Sequence, residues 1–245
     1  PWVDIDYYHF AKRSKLSTWL DNKFEAACLR TTSATTTVSK SLVSLLASKD
    51  NASQSYLLPN GYDAADLPNI EKQTRDSNAP LELYYGSSLS PDRIPHALIQ
   101  AIVNLNKAPN TPPILINLAG SSCEEFEELL DQNGLSNAFN HMGYLPHIEA
   151  SKKLVNADIS ILTINRVPDN ERIVTGKIFE YMGAGNPILG IGPIEGDAAQ
   201  LLKETGSGQM FDYEDSEGIS SFLKQASQDY ATFKESFQFD CENFS

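Results

Sequence analysis

At 245 residues, 41% of them hydrophobic, the chain exceeds one average domain and is apolar enough to bury a core, which sets it apart from disordered chains. No apolar run approaches the roughly 18 residues that read as a membrane span, and 32 acidic against 19 basic residues leave a net charge of −13. That field repels nucleic acid, so any phosphate site must be built from local cations. The three cysteines, Cys28, Cys123 and Cys241, are odd in number and widely spaced; they read as reduced thiols of a cytoplasmic protein and not as a disulfide framework. His141 and His147 have no Cys or acidic ligand pattern beside them, and no metal is expected.

The first eighty residues open with a helix carrying Leu16, Trp19, Leu20, Phe24 and Leu29. A β-like TTTVS (35–39), a second helix to about Lys49 and a strand-like SYLLPNG (55–61) follow. This is the back half of a βα domain. From Pro80 onward, strand-length apolar runs at 81–86, 113–120, 138–143, 158–165, 186–192 and 208–213 alternate with helical stretches at 93–106, 123–132, 147–156, 175–185, 197–204 and 216–229. Strands that are apolar without strict alternation are covered on both faces, so the rhythm predicts a doubly wound parallel α/β sheet of Rossmann-like type. Ligands of such sheets sit beyond the strand C-termini. The loops from Gly86 to Arg93, Gly143 to His147, Asn165 to Lys177 and Gly192 to Asp197 therefore form the expected ligand edge.

Within that edge the run Thr175 to Gly190, TGKIFEYMGAGNPILG, is the most informative. Thr175 is a candidate helix N-cap, Gly185 a C-terminal stop, and Asn186-Pro187 cannot continue a helix. Ile178, Met182 and Gly185 fall on one side, leaving Lys177 and Glu180 together on another near the helix start. Unpaired N–H groups and an ammonium there suit a diphosphate, and a carboxylate one turn on can accept from sugar hydroxyls. The plain alternative is a solvated Lys/Glu pair, which stabilises a helix by about 0.2–0.5 kcal/mol. Asp197, after Gly196, reads as the N-cap of the following helix.

The same run resembles the donor-binding motif of group 1 glycosyltransferases (glycosyltransferase family 4), and LLPNGYD, Leu57 to Asp63, resembles the passage that closes the first domain of that family. Pro1-Trp2 with Asp4, Asp6 and Tyr7 is similar to a passage inside that first domain, so a fragment lacking part of it is expected. The resemblance implies the GT-B type: residues 1–62 close an acceptor-side Rossmann-like domain, 63–79 link, 80–228 form the nucleotide-sugar donor domain, and 229–245 begin a return segment. It implies transfer of a sugar, with retention, from a nucleotide-sugar to a carbohydrate or lipid-linked acceptor hydroxyl, as in surface-polysaccharide assembly. It further implies no cofactor or obligatory metal, no nucleic-acid partner, and a cytoplasmic chain that associates peripherally with the inner face of a membrane.

By the same resemblance, Thr175, Gly176, Lys177 and Glu180 contact the donor, with Glu180 on the ribose. Gly86 and Arg93 serve the phosphates, and Tyr144 or Leu145 lies under the base. The chain also departs from the family. Gly86 is followed by Ser87-Ser88-Leu89 where a basic residue is usual, leaving Arg93 as the phosphate cation, with Asp92 beside it as a competing partner. The residue eight before Glu180 is Arg172 where a glutamate is usual, with Glu171 adjacent. Asn165, Asp169 and Glu171 are the candidate sugar contacts, and no catalytic acid or base is identified. These departures leave a nucleotide-sugar epimerase of the same fold, or a non-catalytic nucleotide-sugar-binding subunit, as alternatives.

Overall fold

The computed structural model describes residues 13–49, 54–68, 79–107, 112–241 and 244; the Pro1 to Tyr7 passage and residues 69–78 of the expected linker lie outside them. The first unit has helix α1 (Lys15–Thr31), strand β1 (Ala34–Thr37), helix α2 (Lys40–Lys49) and strand β2 (Gln54–Leu57). β1 and β2 pair in parallel. Ser14 caps α1 by accepting from the Ser17 N–H at 3.1 Å. Leu16, Trp19 and Phe24 remain more than half exposed, while Glu25 and Leu29 are buried. The buried Glu25 carboxylate pairs with Lys49 of α2, which joins the two helices.

The second unit alternates strictly: β3 (Leu81–Tyr85), α3 (His96–Asn106), β4 (Ile114–Ala119), α4 (Glu124–Gln132), β5 (Phe139–Gly143), α5 (His147–Asn156), β6 (Ile159–Thr163), α6 (Lys177–Gly183), β7 (Ile188–Ile191), α7 (Asp197–Thr205), β8 (Gly208–Phe211), α8 (Ser216–Gln228) and α9 (Tyr230–Glu235). Each predicted strand and helix from Pro80 to residue 229 is present within a few residues. The six strands are all parallel, in the order β5-β4-β3-β6-β7-β8.

Side-chain alternation divides the core into two layers. Leu83 and Tyr85 join Ile102 of α3, Phe126 of α4 and Phe222 of α8 on one face. Tyr84 joins Leu154 of α5, Ile178 and Met182 of α6 and Leu202 of α7 on the other. Covering both faces is what makes β3, β6 and β7 read as near-continuous apolar runs, and each fully buried Leu or Phe contributes about 1.5–3 kcal/mol relative to exposure. The α/β doubly wound, Rossmann-like fold expected from the sequence is thus the fold observed.

Beyond α9 the chain runs back along the end of α7. Gln238 N–H donates to Gly206 O at 3.0 Å, Asp240 N–H to Thr205 O at 2.8 Å, and Phe244 O accepts from the Tyr62 N–H at 3.0 Å. The Phe244 ring lies 5.4 Å from that of Phe179. Among the described residues no helix is long and apolar enough to cross a membrane, and all three cysteines are unpaired.

The two units meet at the start of α2. Here the reading of Asp197 as the cap of its own helix is corrected. Gly196 occupies the α7 N-cap position, without a side-chain bond, and the Asp197 carboxylate reaches across to α2, accepting from Ser41 N–H at 3.0 Å and Ser41 Oγ at 2.9 Å. It caps a helix, but the wrong one for a local rule to find. Ser39 Oγ donates to Arg172 O at 3.2 Å, and exposed Lys40 pairs with Glu204 at 2.6 Å.

Losing a carboxylate cap costs about 0.5–2 kcal/mol, whereas an exposed ion pair is worth about 0.2–1 kcal/mol. Asp197→Ala is therefore expected to lower the melting temperature by more than Lys40→Ala. Equal shifts in thermal denaturation would contradict this account of the junction.

Candidate functional site

The site follows from strand order. After β3 the chain passes to α3 on one face of the sheet and after β6 to α6 on the other, yet β3 and β6 are hydrogen-bonded neighbours. The outgoing loops diverge and leave a crevice at the C-terminal edge, the switch point at which such sheets bind ligands. A cleft of about 360 Å³ occupies that place. Its floor includes Tyr85, Leu162 and Thr163 at the ends of β3 and β6; Arg93, Asn165, Thr175, Lys177 and Glu180 also line it.

The floor is held by hydroxyls. Tyr85 Oη and Thr163 Oγ1 share a 2.6 Å hydrogen bond between the ends of β3 and β6. Tyr181, fully buried, accepts from the Gly86 N–H at 3.1 Å. Burial raises the phenol pKa of Tyr181 and Tyr85, and that of Tyr84 to about 12 with the Glu180 carboxylate adding to the rise. All three remain neutral donors. Gly86 is thereby placed inside the wall: its N–H is engaged by Tyr181, and a Cβ there would come within 2.6 Å of the Tyr84 ring.

The start of α6 differs from expectation in one respect. Thr175 is not its N-cap. Gly176 stands immediately before Lys177, no side-chain cap bond forms, and Thr175 Oγ1 is buried without a hydrogen-bond partner among the described residues. The Ile178 and Phe179 N–H groups bond to Thr175 O and Gly176 O at 3.3 and 3.1 Å, which leaves those of Gly176 and Lys177 as the donors at the open end of the helix. A Cβ on Gly176 would meet nothing within 4 Å, so this backbone is open. Gly185 does adopt the left-handed conformation, φ +66°, that the expected stop requires.

Lys177 and Glu180 both line the cleft. Among the described residues neither side chain makes an ion pair or hydrogen bond, so the plain helix pair does not form. Glu180 also borders a second pocket of about 140 Å³, beside Tyr62, Asp63, Asp66, His147 and Ser151. It stands between the cleft and the segment that follows β2. α6 lies close against that segment: a Cβ on Gly183 would come 2.5 Å from the Tyr62 ring and 2.8 Å from Leu67.

Arg93 ends a short 3₁₀ turn, Pro91–Arg93, and its Nε donates to Asn165 Oδ1. Asp92 accepts from Ser90 Oγ at 2.6 Å. Asp169 and Glu171 flank Arg172, at 3.3 and 3.8 Å, outside the cleft lining. Tyr144 is 94% exposed and Leu145 half-buried, in the loop after β5 on the same sheet edge; neither lines the cleft. The cleft thus gathers Arg93, Asn165, Thr175, Gly176, Lys177 and Glu180 of the expected residues. It adds Tyr85, Ser87, Thr163 and Tyr181, which the rule that ligands sit beyond strand ends could have picked out at β3 and β6. Among the described residues no group of three or more His, Cys, Asp or Glu side chains is arranged to hold a metal.

No protein-family pattern matches the chain, and no curated protein sequence matches it. Solved structures do. Sucrose-phosphate synthase from Thermosynechococcus elongatus superposes with a TM-score of 0.68 at 14% identity, over 94% of this chain and 59% of that one. Anabaena HepE, in complex with UDP and glucose, gives 0.67 at 17% identity over 91% and 60%. WaaG, a glycosyltransferase involved in lipopolysaccharide biosynthesis, gives 0.61 at 14% over 82% and 56%. At these identities the likeness is one of fold, and the chain spans about three fifths of the length of these proteins.

The two glycines of α6 give a test of the packing. Overpacking costs about 1–3 kcal/mol, so Gly183→Ala is expected to lower the melting temperature by several degrees, while Gly176→Ala, which meets open space, leaves it within about a degree. A reversed order would contradict the stated contact of α6 with Tyr62 and Leu67.

Proposed function

We propose that the chain is the donor-binding part of a glycosyltransferase that moves a sugar from a nucleotide-sugar to an acceptor hydroxyl with retention. The observation that carries the reading is the cleft at the β3/β6 switch point. In a chain of net charge −13, two cations, Arg93 and Lys177, line one cavity. Beside them lie the open backbone at Gly176 and the unpartnered Thr175 hydroxyl. A diphosphate supplies acceptors for the two cations and the open backbone, and the Glu180 carboxylate, one turn further along α6, is suited to ribose hydroxyls. Fold likeness to HepE, whose structure holds UDP and glucose, supports the choice of ligand class.

In this reading the visible residues stabilise the leaving group. As the glycosidic bond breaks, negative charge grows on the diphosphate. Lys177, Arg93 and the N–H groups at the start of α6 bind that charge more tightly than the ground state, which lowers the barrier. The hinge-side pocket next to Glu180, with the Gly143 to His147 loop beyond it, receives the base, Tyr144 or Leu145 lying under the ring. Asp169 and Glu171 would have to leave Arg172 to touch the sugar. The acceptor is a carbohydrate or lipid-linked alcohol of surface-polysaccharide assembly, at the inner face of a membrane. Neither a cofactor nor a metal is required. By itself the 245-residue chain binds donor without transferring it, because near-attack geometry needs both reactants held.

Calorimetric titration with UDP-, GDP- and ADP-sugars tests the reading, and no binding of any of them at millimolar concentration would sink it. Glu180→Gln is expected to weaken binding by about 1–3 kcal/mol through loss of a charge-assisted hydrogen bond; unchanged affinity would take Glu180 out of the site. In an enzyme that turns over, Lys177→Ala is expected to lower kcat more than it raises KM for the donor. A change in KM alone would make Lys177 a ground-state binding residue.

A further inference from the structure

We propose that Tyr213, at the far end of β8, is a positioning residue that acts through Asn170 and Asn165 to aim the Arg93 guanidinium into the cleft. The inference rests on the nucleotide-sugar reading of that cleft. Tyr213 follows β8 by two residues and packs against the core layer that holds Phe211 and Phe222. Its hydroxyl lies 3.0 Å from Ile164 O and 3.2 Å from Asn165 O, to which it donates, and it accepts from Asn170 Nδ2 at 2.8 Å. Asn170 Nδ2 also donates to Asn165 O at 2.7 Å. The main chain at 164–165 is therefore clamped through its carbonyls from two sides. The side chain of the clamped residue is the one that accepts from Arg93 Nε.

A second tie runs in parallel. The Arg166 N–H donates to Asp92 O at 3.4 Å, and the Arg166 guanidinium sits 5.2 Å from the centre of the Tyr213 ring while pairing with Glu214 at 2.6 Å. Loops leaving β3, β6 and β8 are thus joined in one network with the cleft at its end. Burial raises the Tyr213 phenol to about 12, so it stays protonated and able to donate to a carbonyl.

The consequence for recognition is geometric. A guanidinium has five N–H donors in a fixed fork. With Nε held by Asn165 and Nη1 at 3.5 Å from Ser87 Oγ, the remaining Nη hydrogens are directed before a ligand arrives. A preorganised fork loses less freedom on binding a phosphate than a mobile one. Asn165 then serves the sugar only indirectly: its side-chain oxygen is engaged by Arg93, a different role from the direct sugar contact expected from the sequence.

The test is a double-mutant cycle read by calorimetry with UDP, GDP and ADP on the whole chain, comparing wild type, Tyr213→Phe, Arg93→Ala and the double variant. Tyr213→Phe keeps the ring and its packing. We expect it to weaken diphosphate binding about three- to tenfold, Arg93→Ala about tenfold or more, and Tyr213→Phe to add less than about twofold once Arg93 is gone. The change in melting temperature caused by Tyr213→Phe should be the same on both backgrounds. An unchanged affinity, or equal losses with and without Arg93, overturns the proposal. Should Tyr213→Phe fail to fold, Asn165→Leu, which leaves the carbonyl clamp in place, is run through the same cycle and judged by the same outcomes. No binding of any diphosphate by wild type overturns the functional reading and this proposal together; binding with additive losses overturns this proposal alone.

Discussion

The pairing of β3 with β6 is the constraint on which the rest of the structure depends. β3 is the strand from which the chain winds outward to β4 and β5, and β6 the strand from which it winds the opposite way to β7 and β8. Right-handed crossovers in opposite directions put α3 and α4 on one face and α6 and α7 on the other. Only between β3 and β6 do the outgoing loops part. The cleft, its two cations and the start of α6 are consequences of that divergence, because each belongs to a loop leaving one of these two strands.

Electrostatics then decides what the crevice can hold. Most of the surface field of this chain repels an anion, but Arg93 and Lys177 face the same cavity, and at that range a local cation outweighs distant carboxylates screened by water and salt. The acids nearest the cleft are mostly engaged elsewhere: Asp92 by Ser90, Asp169 and Glu171 by Arg172, Asp197 by Ser41. Glu180 is the exception. It remains at the rim facing both cavities, held by a helix whose Gly183 lets Tyr62 and Leu67 approach closely. Backbone packing therefore sets where this carboxylate stands.

Much of this architecture was legible in the sequence. Strands covered on both faces produce apolar runs such as DISILTIN and NPILGIG, and the helices between them have ordinary starts and stops, so the βα rhythm from Pro80 onward could be followed strand by strand. Lys177 and Glu180 could be placed on one open side of α6 because i and i+3 share a side. What could not be read were partners distant along the chain. Asp197 looks like a local cap, yet its bonds go to a residue 156 positions away. Thr175 has a capping residue's chemistry, but Gly176 intervenes and turns its hydroxyl into the wall. Arg93 and Asn165, 72 positions apart, each suggested a ligand contact; only the order of strands reveals that they bond to each other. Tyr213 gave no signal at all, since its role is defined by what three separate loops do around it.

The central claim is that a nucleoside diphosphate binds at the β3/β6 edge with its charge between Arg93 and Lys177. Amide-resolved NMR of the chain titrated with UDP tests it most directly. The account predicts that the largest shifts fall at Gly176, Lys177 and Ile178 and in the Asn165 loop, with smaller ones near Ser87. Shifts confined to the junction around Ser39, Asp197 and Phe244, or to α3 and α8 on the far face, would contradict it.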